Sequence, residues 1–193
     1  MKRLDFFFDL SSPYSYMAAT QMKPLAEKTG AEIVWRPMVL GAVFKATGNE
    51  MPARIPAKAR WMGNDLMRWA DHYGVPFRFS SHFPANAIKA MRLVLVDDAK
   101  AGAVALAGYR AMWVDDRDVT DEAVLRSVAE LGGLDPAAAM QAIETPAIKD
   151  KLRANTDEAV ARGAFGAPTM LVGDELFWGN DRLHFVEAAL RRK

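Results

Sequence analysis

The segment Phe6-Phe7-Phe8-Asp9-Leu10-Ser11-Ser12-Pro13-Tyr14-Ser15-Tyr16 constrains the fold more than any other part of the chain. Its apolar run is that of a strand buried on both faces, from Leu4 to Leu10, and a helix begins at once behind it. Ser12 stands where an N-cap belongs, and Pro13 takes the first helical position, where its fixed φ fits and its missing N–H is no loss. A strand running straight into a helix leaves backbone N–H groups and the positive end of a dipole facing outward, an arrangement suited to an anion.

The elements that follow set the order. An apolar stripe through Tyr14, Met17, Ala18, Met22, Leu25 and Ala26 predicts a helix closed by Gly30. A second strand is expected over residues 32–37, and two parallel strands joined by a helix require a right-handed crossover. From Gly41 the pattern turns to loop and helix: a short helix near Val43-Phe44, a long one from Ala57 to Tyr73, and others over Ala85–Ala99 and Ala101–Trp113. Thr120 is read as the cap of a helix ending before Gly132, and Asp135-Pro136 opens one more. Strand signals return only in a hairpin, Thr169 to Val172 and Leu176 to Trp178 around Gly173-Asp174, followed by a last helix from Arg182 to Arg191. This divides the chain into residues 1–45 and 146–193, which carry βαβ…ββα, and an all-helical insertion over residues 46–145.

Composition excludes several classes. The 193 residues carry a net charge of +1, which offers no excess of cations for nucleic acid or an anionic membrane. No window approaches ~18 consecutive apolar residues, and no leader precedes the first strand, so a cytoplasmic protein is expected. There is no cysteine, hence no disulfide, thiolate ligand or cysteine nucleophile. His72, His82 and His184 fall at no metal-ligand spacing and are read as structural. Trp61, Trp69 and Trp113 lie in helical stretches and are expected in the core.

Element order, the Ser12-Pro13-Tyr14-Ser15 turn and the proline of Gly166-Ala167-Pro168-Thr169 resemble an α/β thioredoxin-like domain of the DsbA and kappa-transferase type with a large helical insertion. Ser-Pro-Tyr-Ser has the form of a redox Cys-Pro-x-Cys with hydroxyls in place of both sulfurs. The site would thus bind a thiol brought from outside. Four segments, residues 8–16, 64–70, 165–170 and 177–183, make the chain similar to the 2-hydroxychromene-2-carboxylate isomerases, relatives of the kappa-class glutathione transferases.

That resemblance implies glutathione as cofactor, a small aromatic carboxylate as substrate, and a homodimer. It implies that Ser12 holds the glutathione sulfur, that Pro168 is cis, and that the Ala167 backbone pairs with the cysteinyl unit. Asn180 and Asp181 match the pair that recognises the γ-glutamyl group, while Asn49 and Lys58 match positions that reach the tripeptide from the insertion. The energetics are reasonable. Bringing a thiol from about 8.5 to neutrality needs about 2 kcal/mol of preferential thiolate binding. A hydroxyl donor to a charged acceptor contributes about 1.5–3 kcal/mol and a helix N-terminus about 0.3–1. Ser11 is the rival donor, and Ser15 is expected to face inward. Arg36, Arg54, Arg60, Asn86 and Trp178 are all candidates to meet the substrate. A kappa-like transferase and a non-catalytic thioredoxin-like binding module are the alternative functions.

Overall fold

The computed structural model describes residues 2–192. Strand β1 (Arg3–Phe8) leads through α1 (Pro13–Thr29) to β2 (Glu32–Pro37). Helices α2 (Leu40–Thr47), α3 (Pro56–Tyr73), α4 (Ile88–Val94), α5 (Ala101–Trp113), α6 (Glu122–Leu131), α7 (Pro136–Ala142) and α8 (Pro146–Ala161) follow. The chain then closes with β3 (Thr169–Val172), β4 (Glu175–Trp178), a 3₁₀ turn over Asn180–Arg182 and α9 (Leu183–Arg191). The sheet order is β2-β1-β3-β4, with β1 parallel to β2 and antiparallel to β3, and β3 antiparallel to β4. This is the thioredoxin-like arrangement, with no strand between Pro37 and Thr169.

β1 has a strand on each side, and its alternation serves two cores. Leu4, Phe6 and Phe8 enter the large cluster shared with α1, α4 and α5, where Phe6 and Phe8 stack at 5.2 Å between ring centroids. Phe7 faces the other way, against Met38, Val43, Ala159, Ala164 and Leu171. Asp5 shares the Phe7 face and is met by Arg3 at 2.6 Å, Arg36 at 3.3 Å and Arg162 at 3.1 Å.

Several local expectations change. The helix over 85–99 is only α4, because the Asn86 side chain accepts from Ile88 N–H at its start and Leu95 ends it. Asp97 then caps a separate 3₁₀ turn, Asp98–Lys100, by accepting from Ala99 N–H at 3.0 Å. The cap of α6 is Asp121, whose carboxylate accepts from Val124 N–H, while Thr120 donates its hydroxyl to Asp118. Trp61 is 57 % exposed, not in the core: the buried stripe of α3 is Met62, Leu66 and Ala70, and Trp61 sits one residue off it. Trp69 is half-buried, Trp113 is fully buried, and the three histidines are exposed.

Candidate active site

The turn between β1 and α1 is built by its own polar groups. Ser12 adopts extended backbone (φ −94°, ψ 113°) and its hydroxyl oxygen accepts from Ser15 N–H at 3.2 Å, the N-cap bond that starts α1. Its N–H donates to Asp9 O at 3.0 Å. Asp9 is buried, and one carboxylate oxygen accepts both the N–H and the hydroxyl of Ser11, each at 2.8 Å. Ser11 is thereby committed to the turn. Among the described residues the Ser12 hydroxyl has a single acceptor, the Ala167 carbonyl, at 3.4 Å.

That contact joins residues 155 positions apart in sequence. The Ala167–Pro168 bond is cis, Pro168 is buried, and Ala167 N–H donates to nothing among the described residues. Gly166, just before, lies under the Trp178 indole: a Cβ there would come within 2.6 Å of Nε1. Asn49, in the loop after α2, donates its side-chain amide to Phe165 O at 2.8 Å, and its oxygen accepts from Glu50 N–H. Asn49 thus abuts the same loop as Ala167. Lys58 is exposed in the first turn of α3, two helical turns before Asp65.

Asn180 and Asp181 follow β4 in the 3₁₀ turn that precedes α9. Asn180 is buried at 3 % exposure, its carbonyl accepts from the Tyr73 hydroxyl at 3.0 Å, and its side-chain nitrogen has no partner among the described residues. Asp181 pairs with Arg182 at 2.5 Å and is half-exposed. Its other carboxylate oxygen lies over Gly179, which is held at φ +98°. A cleft of about 430 Å³ between α1, α3 and α9 has Tyr73, Asn180 and Asp181 in its wall.

Five residues around the site make contacts that sequence reasoning did not assign to them. Tyr14 donates to Asp65 at 3.0 Å, and both burial and that carboxylate push its phenol well up, so it stays a neutral donor. From α5, the Tyr109 hydroxyl donates to Asp9 O at 3.2 Å and the Trp113 indole to Leu10 O at 2.9 Å. Burial raises Tyr109 far above its ordinary value. Tyr73 is raised by burial too, although its bond to Asn180 opposes the shift. Asp9 is the fifth. The residue types gave no signal for these roles, because apart from the bonds of Asp9 to Ser11 and Ser12 each contact joins groups distant in sequence.

The candidates for substrate contact separate. Arg36 is spent on Asp5, Asn155 and Glu158. The Asn86 side chain accepts from Ile88 N–H just before α4, and Arg54 pairs with Glu50 at the surface. Arg60 is exposed on α3. Trp178 alone is brought beside Gly166 and Phe165, its ring 5.0 Å from the phenylalanine.

Residues 3–191 match the DSBA-like thioredoxin domain family. The chain is 38% identical over 191 residues to a 2-hydroxychromene-2-carboxylate isomerase of Sphingobium xenophagum, covering 98% of each. The chain belongs to the 2-hydroxychromene-2-carboxylate isomerase family of DSBA-like thioredoxin domains. A solved structure of another member of that isomerase family superposes with a TM-score of 0.90 at 31% identity, covering 97% of this chain and 94% of the other. A kappa-class relative, glutathione S-transferase kappa 1 of Caenorhabditis elegans, is 30% identical over 208 residues, with 100% of this chain and 92% of its own length covered.

Proposed function

We propose that the protein is a glutathione-dependent isomerase that interconverts 2-hydroxychromene-2-carboxylate and trans-o-hydroxybenzylidenepyruvate. The observation that carries this reading is the meeting of the Ser12 hydroxyl with the Ala167–Pro168 backbone in a chain that has no cysteine of its own. The full-length similarity to isomerases of that name supports the choice of reaction.

The residues fit glutathione. The buried, unpartnered nitrogen of Asn180 awaits an acceptor such as the γ-glutamyl carboxylate, and the half-exposed Asp181 suits the ammonium beside it. Ala167 N–H is free to pair with an extended peptide. Ser12 can turn its hydroxyl from the long bond to Ala167 O onto a sulfur, while its oxygen keeps the bond from Ser15 N–H. Asn49 retains a second amide hydrogen beyond the one given to Phe165, and exposed Lys58 offers a cation to the glycyl carboxylate.

Glutathione held by Ser12, Ala167, Asn180 and Asp181 would supply a thiolate nucleophile for reversible addition to the conjugated alkene of the ring-opened substrate. The work of the chain is to hold charge on that sulfur. Ser12 would donate to it, and the N-terminus of α1, seventeen residues long, would supply a positive dipole end beside the Ser12 hydroxyl. Tyr14 and Tyr73 remain neutral and add no competing phenolate.

Glutathione should accelerate isomerisation with no net loss of thiol, and Ser12→Ala should reduce kcat/KM about 100-fold, from a lost charge-assisted bond of about 3 kcal/mol. Undiminished turnover by glutathione-free protein would refute the reading. The second reading, a kappa-like transferase, is favoured only by the kappa relatives. It predicts stoichiometric consumption of glutathione with simple electrophiles.

A further inference from the structure

The groups around Ser12 form a closed circuit of hydrogen bonds. Ser12 reaches Ala167 O at 3.4 Å, and two residues upstream Phe165 O accepts from Asn49 at 2.8 Å. Asn49 follows Gly48, the left-handed cap that ends α2. At the other end of α2, Leu40 N–H donates to the free oxygen of the Asp9 carboxylate at 2.9 Å. Asp9 closes the circuit: its first carboxylate oxygen holds Ser11, and its carbonyl accepts from Ser12 N–H at 3.0 Å.

We propose that Asp9 is a positioning residue, the buried corner that locks the Ser12 turn to helix α2 and, through that helix, to Asn49 and the Ala167 loop. The claim rests on the reading of Ser12 and Asn49 as glutathione-binding groups, and it adds a residue that touches neither thiol nor substrate. Its geometry is that of a carboxylate and of nothing else. Both oxygens must accept at once, on opposite sides, because the turn and α2 each present donors. Burial pushes the Asp9 carboxyl up, and the Leu40 and Ser11 donors oppose that shift. The phenol of Tyr109, bonded to the Asp9 carbonyl, is the titratable group facing it from α5. Among the described residues both buried carboxylate oxygens are met by donors from two separate elements and by no cation, which a packing role alone would not require.

Two substitutions break the same link from its two sides. Asp9→Asn has one acceptor where two are needed, so either Ser11 or Leu40 loses its partner. Leu40→Pro removes the donor and leaves the Asp9 carboxylate intact, at the expense of one half-buried leucyl side chain: Leu40 is the first residue of α2, where proline is accommodated, and Val39 before it is extended (φ −82°, ψ 100°) as a pre-proline residue must be. Each variant should weaken glutathione binding about tenfold by calorimetry, with kcat at saturating glutathione within about threefold of wild type. Ser11→Ala, which leaves the Leu40 bond intact, should stay within about twofold. In the unliganded variants, hydrogen exchange should quicken together at Ser15 N–H and at the α2 amides. Wild-type affinity in a folded Leu40→Pro protein, or faster exchange in α2 with none at Ser15, would overturn the proposal. If the wild-type protein itself binds no glutathione, the proposed function fails, and the exchange measurement still decides the role of Asp9.

Discussion

Ser11 and Ser12 differ by one position and one partner. Both hydroxyls lie at the mouth of the same turn, but that of Ser11 is given to Asp9 at 2.8 Å, whereas that of Ser12 caps α1 and points across to Ala167. The preference for Ser12 was legible in the sequence because capping is local: Ser-Pro at a helix start fixes which serine faces the helix amides. The engagement of Ser11 by Asp9 was not, since it depends on the carboxylate of Asp9 folding back under the turn. Gly179 shows the same limit. The sequence places a glycine before Asn180-Asp181, but only the structure shows it at φ +98° with a carboxylate oxygen 2.5 Å from where a Cβ would stand. Gly179→Ala should therefore cost about 1–3 kcal/mol of stability through backbone strain, read as a lower denaturation midpoint, and should loosen glutathione binding as Asp181 is pushed aside.

At the scale of elements, α5 has an unexpected task. Its apolar period predicted a buried helix with the observed bounds, Ala101–Trp113. Periodicity reports that a face is covered and not by what. Here two aromatic side chains of that face end in donors, and they satisfy the carbonyls of Asp9 and Leu10, 100 and 103 residues away. The helices between β2 and β3 are thus tied to the serine turn through α5. Trp113→Phe would leave the Leu10 carbonyl unpaired in a dry core, and a loss of about 1–3 kcal/mol is expected in chemical denaturation, beyond what the smaller ring costs in packing. The long helix expected over residues 85–99 failed for a related reason. Ala90, Met91, Leu93 and Val94 carry the apolar pattern, but the carboxylate of Asp97 competes for backbone amides and restarts the chain as a 3₁₀ turn.

Across the whole molecule, β1 carries a polar cluster at each end: Asp9 and the Ser12 turn at one, Asp5 with three arginines at the other. For Asp5, burial works to raise the carboxyl, but the hydrogen bonds from Arg3 and Arg162 outweigh it and hold the group below its ordinary value. A carboxyl depressed in the folded state stabilises the fold above its unfolded value of about 4, and that contribution is lost as pH falls through the lower folded value. Asp5→Asn should therefore be clearly less stable than wild type at pH 7, with the difference shrinking as acid protonates Asp5 below about pH 4 in wild type. Denaturant midpoints taken from pH 7 to pH 2 would show converging curves. Equal spacing of the curves across that range would count against the cluster. The element order and sheet class were readable from the chain, because parallel strands joined by a helix and a terminal hairpin leave few topologies. The arginine cluster was not, since Arg36 and Arg162 look alike on paper to the arginines left in solvent.

The central place of β1 also sets a clock for the newly made chain. One side of this strand can pair with β2 early, but the other waits for β3, which begins at Thr169. At about 5–20 residues per second, the ribosome needs roughly 8–30 seconds to supply it. Through that interval Phe6, Phe7 and Phe8 belong to a strand with one open edge, a template for pairing with a neighbouring chain. Yield in a fast overexpression host should then depend on temperature and on holdase chaperones more than the stability of the finished molecule would indicate. The same wait means that a ribosome-bound fragment ending before Ala167 has the Ser12 turn but no wall opposite it.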